Sequence, residues 1–137
     1  MALTRRKERE IAFSLLFAGR FQPEDDAESL LETLLEGCEE QEAGKSDYVR
    51  QTFLGARAFA PEADRMIADA AVGWRPERLS RTVTAVLELA LYEMKKNDAV
   101  PEEVAINEAV ELAKKFGEEG AAKFVNGVLG KCAENKS

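Results

Sequence analysis

The sequence predicts an all-α protein, a compact fold of about seven helices in two packed helical subdomains, with no sheet. Three observations carry this. Apolar residues recur at helical spacing through most of the chain and nowhere alternate with period two. Residues able to cap a helix stand ahead of the periodic runs: Thr4, Asp25 or Asp26, Ser46 or Asp47, and Ser80. Gly and Pro fall between the runs, at Gly19, Pro23, Gly44, Pro61, Gly73, Pro76 and Pro101. A chain of 137 residues, 45% apolar and 33% charged, suits one globular domain with a sizeable core.

The first helix starts after Thr4 and is apolar nearly all round from Ile11 to Phe17, which predicts a central helix. Arg5, Arg6, Lys7 and Arg9 crowd its first turns, where cations oppose the helix dipole. That mild cost invites either a functional reason or a solvated helix end. The second helix buries Ala27, Leu30, Leu31, Leu34, Leu35 and Cys38, and its other face is acidic. A third carries Val49, Thr52, Phe53, Ala56 and Ala60. Pro61 ends it, because the residue before proline is pushed out of helical angles, and starts a fourth with Ala63, Met66, Ile67 and Ala70. Gly73-Trp74-Arg75-Pro76 is the clearest break, and sets subdomains of about 1–73 and 74–137 with Trp74 as a packing anchor. Ser80 caps a strongly periodic fifth helix through Val83, Val86, Leu87, Ala90, Leu91 and Met94. The stretch from Val100 to Leu129 is a helical hairpin. One arm places Ala105, Ala109, Leu112, Ala113 and Phe116 on one stripe, with Gly117 as its C′ residue. The other restarts near Glu119 and buries Phe124, Val125, Val128 and Leu129. Asn126-Gly127 resembles a β-turn in isolation, but the helical period around it prevails.

Composition excludes several functions. The chain has no histidine, which removes the commonest general base and metal ligand, and its two cysteines sit at apolar positions. There is no phosphate-binding glycine loop and no triad material. An enzyme is therefore not expected, nor a metal or cofactor. No apolar run approaches the roughly 20 residues that span a bilayer, so the expected location is cytoplasmic, with no membrane partner. Net charge is −7, yet residues 24–42 alone carry nine acids and no Lys or Arg. The acidity is a local belt, and it leaves room for a basic face elsewhere. The remaining constellation suits nucleic acid: Arg5, Arg6, Lys7 and Arg9 for phosphates, Phe17 and Phe124 for stacking on single-stranded bases if they are exposed, and Lys123 beside Phe124. For each Phe a core role is the competing reading.

The run Val104-Ala-Ile-Asn-Glu-Ala-Val-Glu-Leu-Ala-Lys-Lys-Phe-Gly, followed by Lys123-Phe-Val-Asn-Gly-Val-Leu, resembles the C-terminal signature of the NusB family of bacterial transcription antitermination factors. The N-terminal Thr-Arg-Arg-Lys-x-Arg-Glu and the central Ala85-Val-Leu-Glu-Leu-Ala-Leu-Tyr-Glu extend the resemblance over most of the chain. It implies an all-helical RNA-binding protein that takes the boxA element of nascent ribosomal RNA transcripts together with the ribosomal protein NusE. It would act within the transcription elongation complex with other Nus factors. RNA contacts carry over to Arg5, Arg6, Lys7, Arg9, Phe17, Lys123 and Phe124, whereas Asn126 reads as structural. Two departures stand out. Gly117-Glu-Glu-Gly-Ala-Ala replaces the family's Gly-x-Glu-Asp-Ser, and Val83-Thr84 replace an acid and a base, so salt bridges to the ribosomal partner there would differ. Two other readings stay open: a helical protein–protein adaptor without RNA contact, and an RNA-binding module like that of ribosomal RNA cytosine methyltransferases. Self-association into a homodimer is likewise left open by the residues.

Overall fold

The most enclosed helix is α4, Arg81–Lys96, and the other helices are arranged around it. In the computed structural model, which describes residues 3–134, it packs against α1 (Arg5–Gly19), α3 (Asp47–Ala70), α5 (Glu102–Phe116) and α6 (Ala121–Glu134). The shorter α2 (Ala27–Glu36) covers α1 and α3 from outside. Two 3₁₀ turns, Gln41–Lys45 and Pro76–Arg78, lie in the connections. The described residues contain no strand, and none of their helices is long and apolar enough to cross a membrane. One hydrophobic cluster runs through both halves of the chain, from Ile11 to Cys132.

Local chemistry sets the helix starts. Thr4, Asp26, Ser46 and Ser80 each accept a hydrogen bond from the backbone N–H three residues on, satisfying a donor the helix itself cannot. Tertiary packing sets what happens at Pro61. The sequence predicts a break there, but α3 continues through it as one helix of 24 residues. A proline inside a helix costs about 3 kcal/mol through its missing N–H and the clash with the carbonyl four residues back. Continuity keeps Phe59, Ala63, Ile67 and Ala70 on one buried stripe. Burying Phe59 and Ile67 alone contributes about 1.5–3 kcal/mol each, which outweighs the cost. Two predicted helices therefore merge, and the described residues form six α-helices where about seven helices are expected. Close approach matters on the same helix: a Cβ on Gly55 would lie 2.2 Å from the Tyr92 ring, so only glycine lets α3 and α4 touch there.

Four local expectations are corrected. Cys38 lies beyond α2 and is half-buried, whereas Cys132 is buried in α6. Phe116 is 41% exposed, because α5 ends as the chain leaves the core. Gly117 closes α5 with extended backbone (φ −92°), and the left-handed residue of the turn is Gly120 (φ +88°). Asn126 is exposed and so does not bridge packed helices. At Gly120 an added Cβ would also sit 2.6 Å from Arg78 Nη1, whose guanidinium donates to the Glu119 carbonyl. Gly120→Ala should therefore lower unfolding stability by about 1–2 kcal/mol in chemical denaturation, most of it the left-handed backbone penalty.

Candidate nucleic-acid interface

The first turns of α1 carry three exposed cations. Arg5, Arg6 and Lys7 have side chains 56%, 64% and 52% exposed. Each has an acidic neighbour. Arg5 Nε donates to Glu8 at 3.0 Å while its guanidinium lies 4.4 Å over the Tyr48 ring. Arg6 makes a two-pronged contact with Glu108 of α5, at 3.1 and 2.7 Å. Lys7 stands 4.0 Å from Glu10, which also takes Lys115 of α5 at 2.9 Å. The hydrogen bonds and charge of Glu108 raise the Arg6 pKa, and the same contact holds the Glu108 carboxyl below the usual range. Between α1 and α5, Arg6, Glu10, Glu108 and Lys115 line a cleft of about 350 Å³, with Arg9 at its inner wall.

Arg9 is not among the exposed cations. It is 4% exposed, and its guanidinium is spent on Glu93 of α4, at 3.0 and 3.1 Å, with Glu108 at 3.4 Å. Glu93 is itself fully buried and accepts a further hydrogen bond from the Tyr48 hydroxyl at 2.8 Å. Burial works against the charged guanidinium, but the hydrogen bonds and charge of Glu93 prevail and the Arg9 pKa rises. Burial and the Glu93 charge also push the Tyr48 hydroxyl above its ordinary range, keeping it a donor. At the other end of α1, Arg20 reaches Glu88 of α4 at 2.6 Å. The helix is clamped to α4 at both ends. The expectation of an RNA contact at Arg9 is corrected accordingly: its donors point into the protein, where they orient the helix that carries Arg5, Arg6 and Lys7.

The aromatics divide in the same way. Phe17 is half-buried, one member of a row along α1 in which Phe116 meets Phe13 (5.1 Å between centroids), Phe13 meets Phe17 (6.4 Å) and Phe17 meets Phe21 (5.7 Å). Phe116 and Phe21, 41% and 54% exposed, are the open ends of this row. Neither was picked out by the sequence. The Lys114-Lys115-Phe116 run that closes α5 was the available signal for one, with Lys115 3.0 Å from Glu10 across the cleft. Phe124 is 0% exposed and edge-on to Trp74 at 5.0 Å, inside the core, so a base has no access to its face and the stacking expectation is corrected. The anchor role of Trp74 rests on this contact. Lys123 is exposed on α6, one turn from exposed Asn126. Its helix packs mainly on α3, α4 and α5.

Comparison with known proteins adds the ancestry. The NusB family model matches residues 6–134. A transcription antitermination protein NusB from Levilactobacillus brevis is 38% identical over 130 residues, covering 94% of this chain and 92% of its own. Among solved structures, the NusB of T. maritima superposes with a TM-score of 0.79 at 34% identity, covering 98% of this chain and 94% of that one. A chain from a complex of antitermination factors NusB and NusE with double-stranded RNA superposes with a TM-score of 0.75 at 25% identity, covering 96% and 97%.

Proposed function

The chain belongs to the NusB family, and from that premise we propose that it is a transcription antitermination factor that binds RNA together with NusE, with the start of α1 as its phosphate-binding edge. The RNA is a boxA element of nascent ribosomal transcripts, met in the cytoplasm on an elongation complex that carries other Nus factors. The observation that carries this reading is the exposure of Arg5, Arg6 and Lys7 at a helix start where cations are unfavourable, with the open ring of Phe116 and Lys115 near Lys7. Arginine forks and a lysine ammonium take phosphates. Phe17 and Phe116 offer faces on which unpaired bases stack, at about 1–3 kcal/mol per base. Lys123 adds a cation from α6. Arg9 and Phe124 act from behind, by fixing α1 and the start of α6.

Three phosphate contacts give a slope of only about −2 in log K against log salt for a single strand. Binding by the chain alone is therefore weak, and the NusE partner makes up the affinity. Mobility shifts on a single-stranded boxA RNA and on a duplex, with and without NusE, test the proposal. Arg5→Ala/Arg6→Ala/Lys7→Ala should abolish the shift of the chain alone and weaken the ternary shift at least tenfold. A shift that survives intact in this variant removes α1 from the interface. A chain that joins NusE but never touches RNA is an adaptor, a reading favoured by one observation, that every α1 cation already has an acidic neighbour.

A further inference from the structure

We infer that the α1–α5 cleft is a phosphate subsite made by Arg6 and Lys115 and held closed by two resident anions, Glu108 and Glu10, with Glu108 setting the affinity. The inference rests on the RNA reading above. Its starting point is the stoichiometry of charges in the cleft. Glu108 is held by two cations, Arg6 outside and Arg9 inside, with side-chain exposures of 64% and 5%. Glu10 is likewise held by Lys7 and Lys115. Each carboxylate can therefore release one exposed cation and keep the other. No charge is left unpaired in the protein when that happens, so the exchange avoids the heavy cost of orphaning a buried ion.

Geometry makes Glu108 the stronger competitor. It occupies Nε and Nη2 of Arg6, the edge of the guanidinium that matches a carboxylate or a phosphate in two-pronged fashion. A phosphate that takes this edge must displace it. Lys115 meets both Glu10 oxygens, at 3.0 and 2.9 Å, but its ammonium is a point charge without a fixed fork, and its side chain is 58% exposed. The remaining acid of the cleft, Glu111, hydrogen-bonds Lys114 at 3.3 Å and acts on Arg6 through charge alone, without occupying its donors, so it serves as an internal control for net charge. The RNA site thus carries its own anion, and affinity is set by the difference between phosphate and carboxylate at Arg6.

Removing the resident anion should tighten binding. With a labelled single-stranded boxA RNA, Glu108→Gln should lower Kd roughly two- to fivefold, the range set by an exposed ion pair. The salt slope should stay near its wild-type value, because Arg6 meets the same phosphate in both proteins and only the competing anion is removed. Lys115→Ala should raise Kd by a similar factor. Glu111→Gln, which removes the same charge from the same cleft, should leave Kd within about twofold. In an Arg6→Ala background the Glu108→Gln gain should vanish, since the two act through one contact. The inference is overturned if Glu108→Gln binds equally or more weakly, which would make Glu108 a support for Arg6, or if Glu111→Gln gives the same gain, which would reduce the effect to net charge. Wild-type chain that binds no RNA at any salt concentration overturns both this and the reading beneath it, whereas wild-type binding with an inert Glu108→Gln overturns this inference alone. Thermal melts of each variant confirm that the folded protein is being compared.

Discussion

Phe124→Ala should cost about 3–5 kcal/mol of unfolding stability, the usual range for truncating a core phenylalanine. The ring is fully enclosed, with Val125, Val128 and Leu129 of the same helix equally buried. It also supports Trp74, which lies edge-on at 5.0 Å and is itself 37% exposed. Truncation leaves a cavity under the indole and frees it toward solvent. Denaturant unfolding followed by tryptophan fluorescence measures both effects, since Trp74 is the only tryptophan in the chain. RNA affinity, measured at a temperature where the variant is still folded, should change little. A variant that melts normally but loses RNA would return Phe124 to the binding surface.

A comparable loss is expected from Arg9→Ala. The substitution strips a fully buried carboxylate, Glu93, of its two-pronged partner and leaves it only the Tyr48 hydroxyl. Breaking a buried pair from one side costs about 3–5 kcal/mol, because an uncompensated charge remains inside. Removing both charges is different in kind. Arg9→Met/Glu93→Leu should recover most of the stability, since hydrophobic replacement of a buried pair is often close to neutral. Denaturant midpoints for the single and double variants decide this. If Arg9→Ala unfolds like wild type while RNA binding falls, Arg9 is a phosphate contact after all. The double variant also has a functional reading. It restores packing while loosening the angle at which α1 presents Arg5, Arg6 and Lys7, so its RNA affinity should fall while its stability does not.

The α-helical architecture was legible because its signals are local. Ser80 and the stripe from Val83 to Met94 specify α4 by capping and period alone, and α4 proves to be the central helix. Pro61 misled because its signal is local too, while the force that carries α3 through it comes from contacts distant in sequence. The site was legible in its charges and less so in its burial. Arg9 looked like its neighbours, one more base in a basic run. Yet Arg9, Ala12, Phe13 and Leu16 follow helical spacing, and so do Val86, Ala90 and Glu93. A lone base and a lone acid, each on a buried stripe, were the readable sign of an internal ion pair. Phe124 carried both readings, and its spacing from Val125, Val128 and Leu129 gave the correct one. The Arg6–Glu108 contact spans 102 positions, and nothing local in the sequence points to it.

The central claim is that exposed cations at the start of α1 hold RNA phosphates, with Arg9 behind them as a support. A salt series of fluorescence-anisotropy titrations tests it most directly, using a single-stranded boxA RNA against wild-type chain and against Arg5→Ala/Arg6→Ala/Lys7→Ala. The account predicts that the wild-type slope in log K against log salt is steeper than the variant's by about 2, one contact for each of the three cations removed. Equal slopes in the two proteins would contradict it.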